Sequence, residues 1–214
     1  MGRIWKQTKW KCWTRSIKAR NTLAFFIFII YINFLLEYNN IVMATLSNFS
    51  IRHPYPHEEG QTIFVREQSW LTAYSNIFSQ AEIKKHFNEK KNNPIYRRDN
   101  LNKISDLSYY VGCIEDKVVA VLDLNFESTE PNTGEIVCFY CLPEYQRHGI
   151  GTKLFNFTKN SFILAGLKKF KVEVLKDNKS GTNFYIKQGG NLVAKKDKLL
   201  AGKQLTFLTF EFDI

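Results

Sequence analysis

The sequence predicts an α/β domain on a mixed sheet. Three observations predict it: short apolar runs with strand alternation, amphipathic helix-length segments between them, and glycines where the two kinds meet. With 214 residues, 44% of them hydrophobic, the chain can bury a full core; 11 glycines and 5 prolines are too few for a low-complexity or collagen-like polymer. Asn48-Phe-Ser-Ile-Arg52 reads as a short strand closed by Pro54 and Pro56. Ile63, Trp70, Leu71 and Tyr74 then share one face of an amphipathic helix, and a second, basic helix follows over about 81–90. Past Lys91-Asn-Asn-Pro94, residues 107–114, 117–126 and 135–142 read as three strands. A tight hairpin at Glu115-Asp116 joins the first two, and the turn-rich segment 127–134 joins the next two. A helix over about 151–165 carries Leu154, Phe155, Thr158 and Phe162 on one side and stops at Gly166. Residues 170–174 alternate as a strand, a short helix near 182–188 stops at Gly189-Gly190, and strands at 192–195 and 204–212 finish the domain.

Charge divides the chain in two. The net charge is +10, but Arg3, Lys6, Lys9, Lys11, Arg15, Lys18 and Arg20 lie in the first 42 residues against Glu37 alone. Residues 43–214 hold 23 basic and 19 acidic side chains and are only mildly basic. We therefore divide the chain into an extension, 1–42, and a domain, 43–214. In the extension, Trp5, Trp10, Trp13 and the basic residues precede a 14-residue apolar run, 23–36, broken only by Asn33. Three readings stay open: translation beginning at Met43, a membrane anchor through residues 23–42 with its basic end in the cytoplasm, or a cleaved signal. In the domain, Lys84-Lys85, Lys90-Lys91, Arg97-Arg98 and Lys195-Lys196 are scattered among acids, which predicts solvated faces and no nucleic-acid partner.

Cys12, Cys113, Cys138 and Cys141 form no disulfide framework, so a reducing, cytoplasmic setting is expected. Cys138 and Cys141 have C-x-x-C spacing on an apolar strand, where positions three apart face opposite sides and cannot share a metal. His53, His57 and His86 have no ligand or triad spacing, so no metal is expected, and Tyr109, Tyr110 and Tyr140 read as strand packing.

The chemistry concentrates in Gln146-Arg147-His148-Gly149-Ile150-Gly151, between the strand ending near Cys141 and the following helix. Glycines at such a junction let backbone approach a ligand, and the positive helix terminus favours an anion such as a pyrophosphate. One helix terminus contributes only about 0.3–1 kcal/mol per exposed charge, so several N–H groups and cations such as Arg147, Lys153 and Lys179, with Thr152, would have to converge. The strand at 170–174 follows, then Asn178, the pair Phe184-Tyr185 and Gly189.

In that order these elements resemble the GNAT superfamily of acetyl-CoA-dependent N-acetyltransferases. The likeness runs from about Phe49 to the C terminus and rests on three parts. They are the strand 136–142 with Pro143, the Q/R-x-x-G-x-G/A loop at 146–151, and N-x-x-A-x-x-F-Y-x-x-x-G at 178–189, with Ser69-Trp70-Leu-Thr-Ala-Tyr74 similar to the first-helix pattern of many bacterial members. The resemblance implies a central, mixed, mostly antiparallel sheet flanked by helices. It implies that backbone N–H groups of Arg147, His148, Gly149, Ile150, Gly151 and Thr152, in the loop begun by Gln146, hold the coenzyme pyrophosphate. It implies further that backbone at Phe139, Tyr140 and Cys141 pairs with the pantetheine arm, that Asn178 contacts that arm, and that Tyr185 is the general acid. Glu135 stands in the register of the catalytic glutamate of the histone-acetyltransferase branch; a water relay is the alternative base. Gly181 stands where the family often has Ala and Gly190 where it often has Phe, which predicts a looser short helix.

The chemistry suits these residue types. A lysine-like amine is neutral in only about one molecule in 10³ at pH 7, so attack on a thioester gains from a base, and the leaving thiolate gains from a phenol of pKa near 10. The implied function is acetyl transfer from acetyl-CoA to a primary amine in a ternary complex. The alternative is a non-catalytic acyl-CoA-binding module, membrane-tethered through the extension. No code for the acceptor is readable in residues 58–102 or 127–134, where such folds set specificity, and a homodimer is the common assembly for folds of this kind.

Overall fold

The computed structural model describes residues 27, 29–31, 33, 47–93 and 108–214. The chain divides into two units, Met1–Ser47 and Asn48–Ile214. In the first, residues 27, 29–31 and 33 are helical, and the rest of the anchor, signal or start-site expectation lies outside the described residues. Among the described residues, no helix is long and apolar enough to cross a membrane.

The second unit opens with β1 (Phe49–Arg52) and a 3-10 turn at Pro56–Glu58. Arg52 reaches Glu58 with both guanidinium nitrogens, at 2.8 and 2.7 Å, and Tyr55 N–H donates to the same carboxylate at 2.7 Å. Those donors hold the Glu58 carboxyl below the usual carboxylate range although it is buried. They also fix the angle at which α1 (Glu59–Ala73) leaves the turn. Next come α2 (Gln80–Asn92), β2 (Tyr109–Ile114), β3 (Lys117–Asn125) and β4 (Thr133–Cys141). The unit is completed by α3 (Ile150–Leu164), β5 (Lys169–Leu175), α4 (Lys179–Lys187), β6 (Asn191–Leu200) and β7 (Lys203–Asp213).

The strands form one seven-stranded sheet in the order β1-β2-β3-β4-β5-β7-β6. Every pairing is antiparallel except β4 with β5. The mixed, mostly antiparallel sheet expected from the sequence is thus the observed one. The Glu115-Asp116 hairpin forms with Glu115 at φ 53°, and Gly166 ends α3 at φ 77°. Helices cover both faces. On one, Ile63, Trp70, Tyr74, Phe78, Ile83 and Phe87 of the α1–α2 layer pack on Leu175, Leu205 and Phe207. On the other, Phe155 and Phe162 of α3 meet Phe170 of β5 and Phe212 of β7 at ring separations of 4.8–5.6 Å.

Two local expectations are corrected. β6 extends to Leu200, well past Lys195, because Ala201 and Gly202 (φ 48° and 81°) make a tight turn that pairs its charged half with β7. The lysines there are solvated, as expected, along an edge strand. Lys91 is not simply solvated: its ammonium lies 2.7 Å from the buried Glu67 of α1 and ties α2 to it. Both glycines of the short-helix segment stand where a larger residue would collide with its neighbours. At Gly181 a Cβ would stand 2.9 Å from Asn178 Nδ2, and at Gly190 it would stand 2.6 Å from the Phe212 ring, so neighbours already fill both places. Arg97 and Arg98 lie outside the described residues.

Candidate active site

The site begins where two central strands part. β4 and β5 pair only over four positions, Thr133 to Ile136 against Lys169 to Val172. Further on, β4 stays with β3 as far as Cys141 and β5 stays with β7 through Leu175, so a wedge opens between residues 137–141 and 173–175. A bulge marks the parting: Asp123 faces Cys138 and Leu124 faces Ile136, leaving Val137 without a partner on β3.

The register shows which groups face the wedge. Leu142 N–H donates to the Val119 carbonyl at 2.9 Å, so alternation along the antiparallel ladder turns the main-chain groups of Tyr140 and Cys138 to β3 as well. Those of Phe139 and Cys141 point the other way, into the wedge. There the Cys141 carbonyl accepts from Ser69 Oγ at 3.2 Å and from Gln146 Nε2 at 3.0 Å. The Cys141 N–H and both main-chain groups of Phe139 have no backbone partner among the described residues. An arm carrying amides fits this edge as an added strand would.

At the end of the wedge lies the loop. Gln146 is turned inward, its N–H on the Pro143 carbonyl and its amide on Cys141. Arg147 and Gly149 both take left-handed backbone, φ 65° and 82°, around the half-buried His148. Gly149 is the N-cap of α3 and supplies no side-chain cap, and the first helical bond runs from Lys153 N–H to its carbonyl at 3.0 Å. The N–H groups of Ile150, Gly151 and Thr152 therefore lie ahead of the helical ladder, as a set of aligned donors. A Cβ on Gly151 would stand 3.3 Å from the Phe184 ring, which brings α4 against α3 at this point.

Across the wedge, Asn178 caps α4, its Oδ1 accepting from Gly181 N–H at 2.9 Å. Tyr185 follows on α4, 5% exposed and ringed by Phe139, Phe184, Phe210 and Phe212. Burial pushes its phenol well above the ordinary tyrosine value, so it holds its proton through the physiological range. Burial also drives the Cys141 thiol up to about 12, which makes it a packing group rather than a nucleophile. Cys138 is buried on β4, and among the described residues no cluster of three or more His, Cys, Asp or Glu side chains is placed to hold a metal.

Glu135 sits at the closed end of the wedge, half-buried, opposite Lys171 in the parallel register and Asn125 in the antiparallel one. Lys171 is held by Glu130 at 2.6 Å and Glu211 at 3.4 Å. The cross-strand ion pair that would give Glu135 a purely structural role is thus taken by other carboxylates. Two side chains were overlooked by pattern reading. Tyr140, whose side chain was expected to pack, accepts a hydrogen bond from Trp70 Nε1 at 3.1 Å, and Tyr74, expected on a helix face, stacks edge-on with Trp70 at 5.1 Å. The only signal for them was the Trp70/Tyr74 spacing of one helical turn. The expectation that Tyr140 backbone pairs with the pantetheine arm is corrected: its main-chain groups face Val121 of β3, because alternation leaves the wedge to Phe139 and Cys141.

The stretch that holds this splayed pair and uncapped helix terminus, residues 73–189, matches the model of the acetyltransferase (GNAT) family. The chain belongs to this family. It is a GNAT acetyltransferase, an acyltransferase that takes acetyl-CoA as its donor. Over 138 residues it is 28% identical to a spermidine N(1)-acetyltransferase of Thermoplasma acidophilum, which covers 59% of this chain and 78% of that protein. Among solved structures, the PaiA N-acetyltransferase of Thermoplasma acidophilum in complex with coenzyme A matches with TM-score 0.62 at 22% identity, over 78% of this chain and 99% of that one. Ard1 from Thermoplasma volcanium matches with TM-score 0.54 at 16% identity, over 78% of this chain and 98% of that one. These two structural likenesses carry the fold.

Proposed function

We propose that the domain, residues 43–214, acetylates a primary amine directly in a ternary complex. The observation that carries this reading is the main-chain edge of β4, open at both groups of Phe139 and at the Cys141 N–H, which leads from the α3 donors to a buried phenol. The donors of residues 147–152 hold the pyrophosphate, the β4 edge holds the pantetheine amides, and Asn178 flanks that arm. The amine attacks the thioester carbon; its lost proton goes to Glu135, with a water relay as the alternative base. The C–S bond breaks, the leaving sulfur takes the proton of Tyr185, and Tyr185 recovers one from water. Atoms balance as amide plus free coenzyme thiol, with no covalent enzyme intermediate.

The acceptor class is an aliphatic amine, and spermidine is the first to test, since a relative acts on it. Calorimetric titration of acetyl-CoA into the full chain is expected to give saturable one-to-one binding, and thiol release should rise above background with at least one amine of a panel led by spermidine. A folded, monodisperse sample that binds no acetyl-CoA would overturn the site.

Two variants probe its ends. Gly149→Val places a β-branched side chain in left-handed backbone, at a cost of about 1–2 kcal/mol, and tilts the donors. We expect acetyl-CoA affinity to fall about tenfold, the equivalent of 1.4 kcal/mol, with circular dichroism unchanged; parent affinity would remove the loop from the site. Glu135→Gln is expected to lower kcat most at neutral pH and to flatten the rising limb of the pH–rate profile. An unchanged profile assigns the proton to water without Glu135.

A further inference from the structure

The mouth of the wedge has two faces, and packing contacts tell them apart. On β4, a Cβ at Gly134 would meet the Phe162 ring of α3, Phe139 packs on Phe184 of α4, and Tyr140 bonds to Trp70 of α1. With the bulge at Val137 between them, these contacts put Glu135, Val137, Cys138 and Tyr140 on the α1 side. On β5, Phe170 packs on Phe162, Val174 lies against Gly181 of α4, and Leu175 joins the α1–α2 core, so Lys171 and Glu173 share the α1 side. Ile136 and Val172 are the last parallel pair, and Val137 and Glu173 come next, one on each side of the opening. Because α3 and α4 cover the opposite face, the α1 side is the one from which a second substrate can reach the wedge.

This opening suits an alkylammonium. Val137 is 52% exposed, and among the described residues of β2 to β5 no other large hydrophobic side chain is as open. Across from it, Glu173 holds a primary ammonium of the chain itself: Lys198 Nζ reaches in from the edge strand β6, 2.5 Å from the carboxylate and 5.9 Å from the centre of the Phe207 ring. Among the described residues Lys198 is the sole ion-pair partner of Glu173, whereas Lys171 is shared by Glu130 and Glu211. Both side chains of the Lys198–Glu173 pair are partly open to solvent, so it adds little to stability and another ammonium can replace Lys198 at small cost.

We propose that Glu173 anchors the remote ammonium of a diamine acceptor, with the methylenes of that acceptor on Val137, and that Lys198 is the resident competitor it displaces. The proposal rests on the ternary-complex reading and deepens it by naming the acceptor class. Glu135, level with Lys171, lies two strand positions or about 6.6 Å short of Glu173 and is left for the proton of the attacking amine. The two carboxylates then do different work. Only the attacking nitrogen has to be neutral, while the remote one keeps its charge at pH 7 and gains from a fixed carboxylate.

The test is steady-state thiol release by the full chain with acetyl-CoA and a matched pair of acceptors, 1,4-diaminobutane and butylamine, which differ only in the remote ammonium. The parent is expected to favour the diamine about tenfold in kcat/KM, and Glu173→Gln is expected to abolish that preference by raising the diamine KM, with butylamine turnover and the acetyl-CoA dissociation constant within about threefold of the parent. Lys198→Met is expected to lower the diamine KM about threefold or more, because the competitor is gone. Equal losses for both amines in Glu173→Gln would show a structural role and overturn the proposal alone. So would a diamine KM that rises in Lys198→Met as it does in Glu173→Gln, since the ion pair itself would then be what matters, and so would a parent that favours neither amine. Acetyl-CoA binding without turnover of any amine of the panel would overturn the ternary-complex reading and this proposal with it.

Discussion

Replacing Tyr185 by Phe is expected to lower kcat by about 10²-fold or more, the usual range for loss of a positioned acid, while acetyl-CoA affinity stays near the parent value. The expectation separates the hydroxyl from the ring. The ring touches Phe139, Phe210 and Phe212 at 6.1–6.3 Å, and Phe keeps all three contacts. Only the proton is lost. Because burial raises the phenol above its ordinary value, the protonated form persists as pH rises through the value of a free tyrosine. The parent enzyme should therefore show no fall in kcat between about pH 8 and 10, where an exposed phenol of pKa near 10 would begin to lose its proton. Stopped or steady-state thiol release over that range, parent against Tyr185→Phe, measures both effects. A variant within twofold of the parent would mean that water protonates the sulfur, and the aromatic ring around Tyr185 would then be core.

How much of this was legible in the sequence depends on the range of the interactions. Elements set by local pattern, such as the 107–114 and 117–126 strands and the helix carrying Leu154, Phe155 and Phe162, lie within a few residues of their expected bounds. The loop was legible too, because the left-handed Gly149 and the missing cap follow from the local order of glycines. What escaped was tertiary. The bulge at Val137 changes which side chains share a face, and no local signal marks it, since a bulged strand and a regular one read alike. The charged half of β6 fell outside the expected strand because an edge strand with both faces wet has no alternation to read. The Trp70–Tyr140 bond spans 70 positions of sequence, and the pairing of Lys91 with Glu67 depends on how α2 folds back on α1. Such contacts are fixed by the sheet, and the sheet is not visible one segment at a time.

Phe170→Ala should be the most damaging single change to the fold, at about 3–5 kcal/mol for a large buried aromatic truncated to a methyl. Phe170 is fully buried on β5, stacked on Phe212 at 4.8 Å and packed against Phe162 at 5.2 Å and Phe155 at 5.6 Å. Its partner in the parallel register is Gly134, where a Cβ would lie 2.5 Å from the Phe162 ring. That glycine lets α3 close down on the sheet, and Phe170 fills the space beside it. Truncation empties this point, and neither Gly134 nor the stacked ring of Phe212 can collapse into it without moving a strand. The position is also one of only four that join β4 to β5, so it anchors the closed end of the wedge. We expect a fall in melting temperature of about 10 °C, at roughly 2–4 °C per kcal/mol for a domain of this size. Acetyl-CoA at about a hundred times its dissociation constant should restore some 2.7 kcal/mol if the wedge still closes on it. A fall of less than about 3 °C would mean that the aromatic layer repacks. A full fall without rescue would place the damage in the wedge itself, tying the stability of the β4–β5 junction to the affinity of the site it opens.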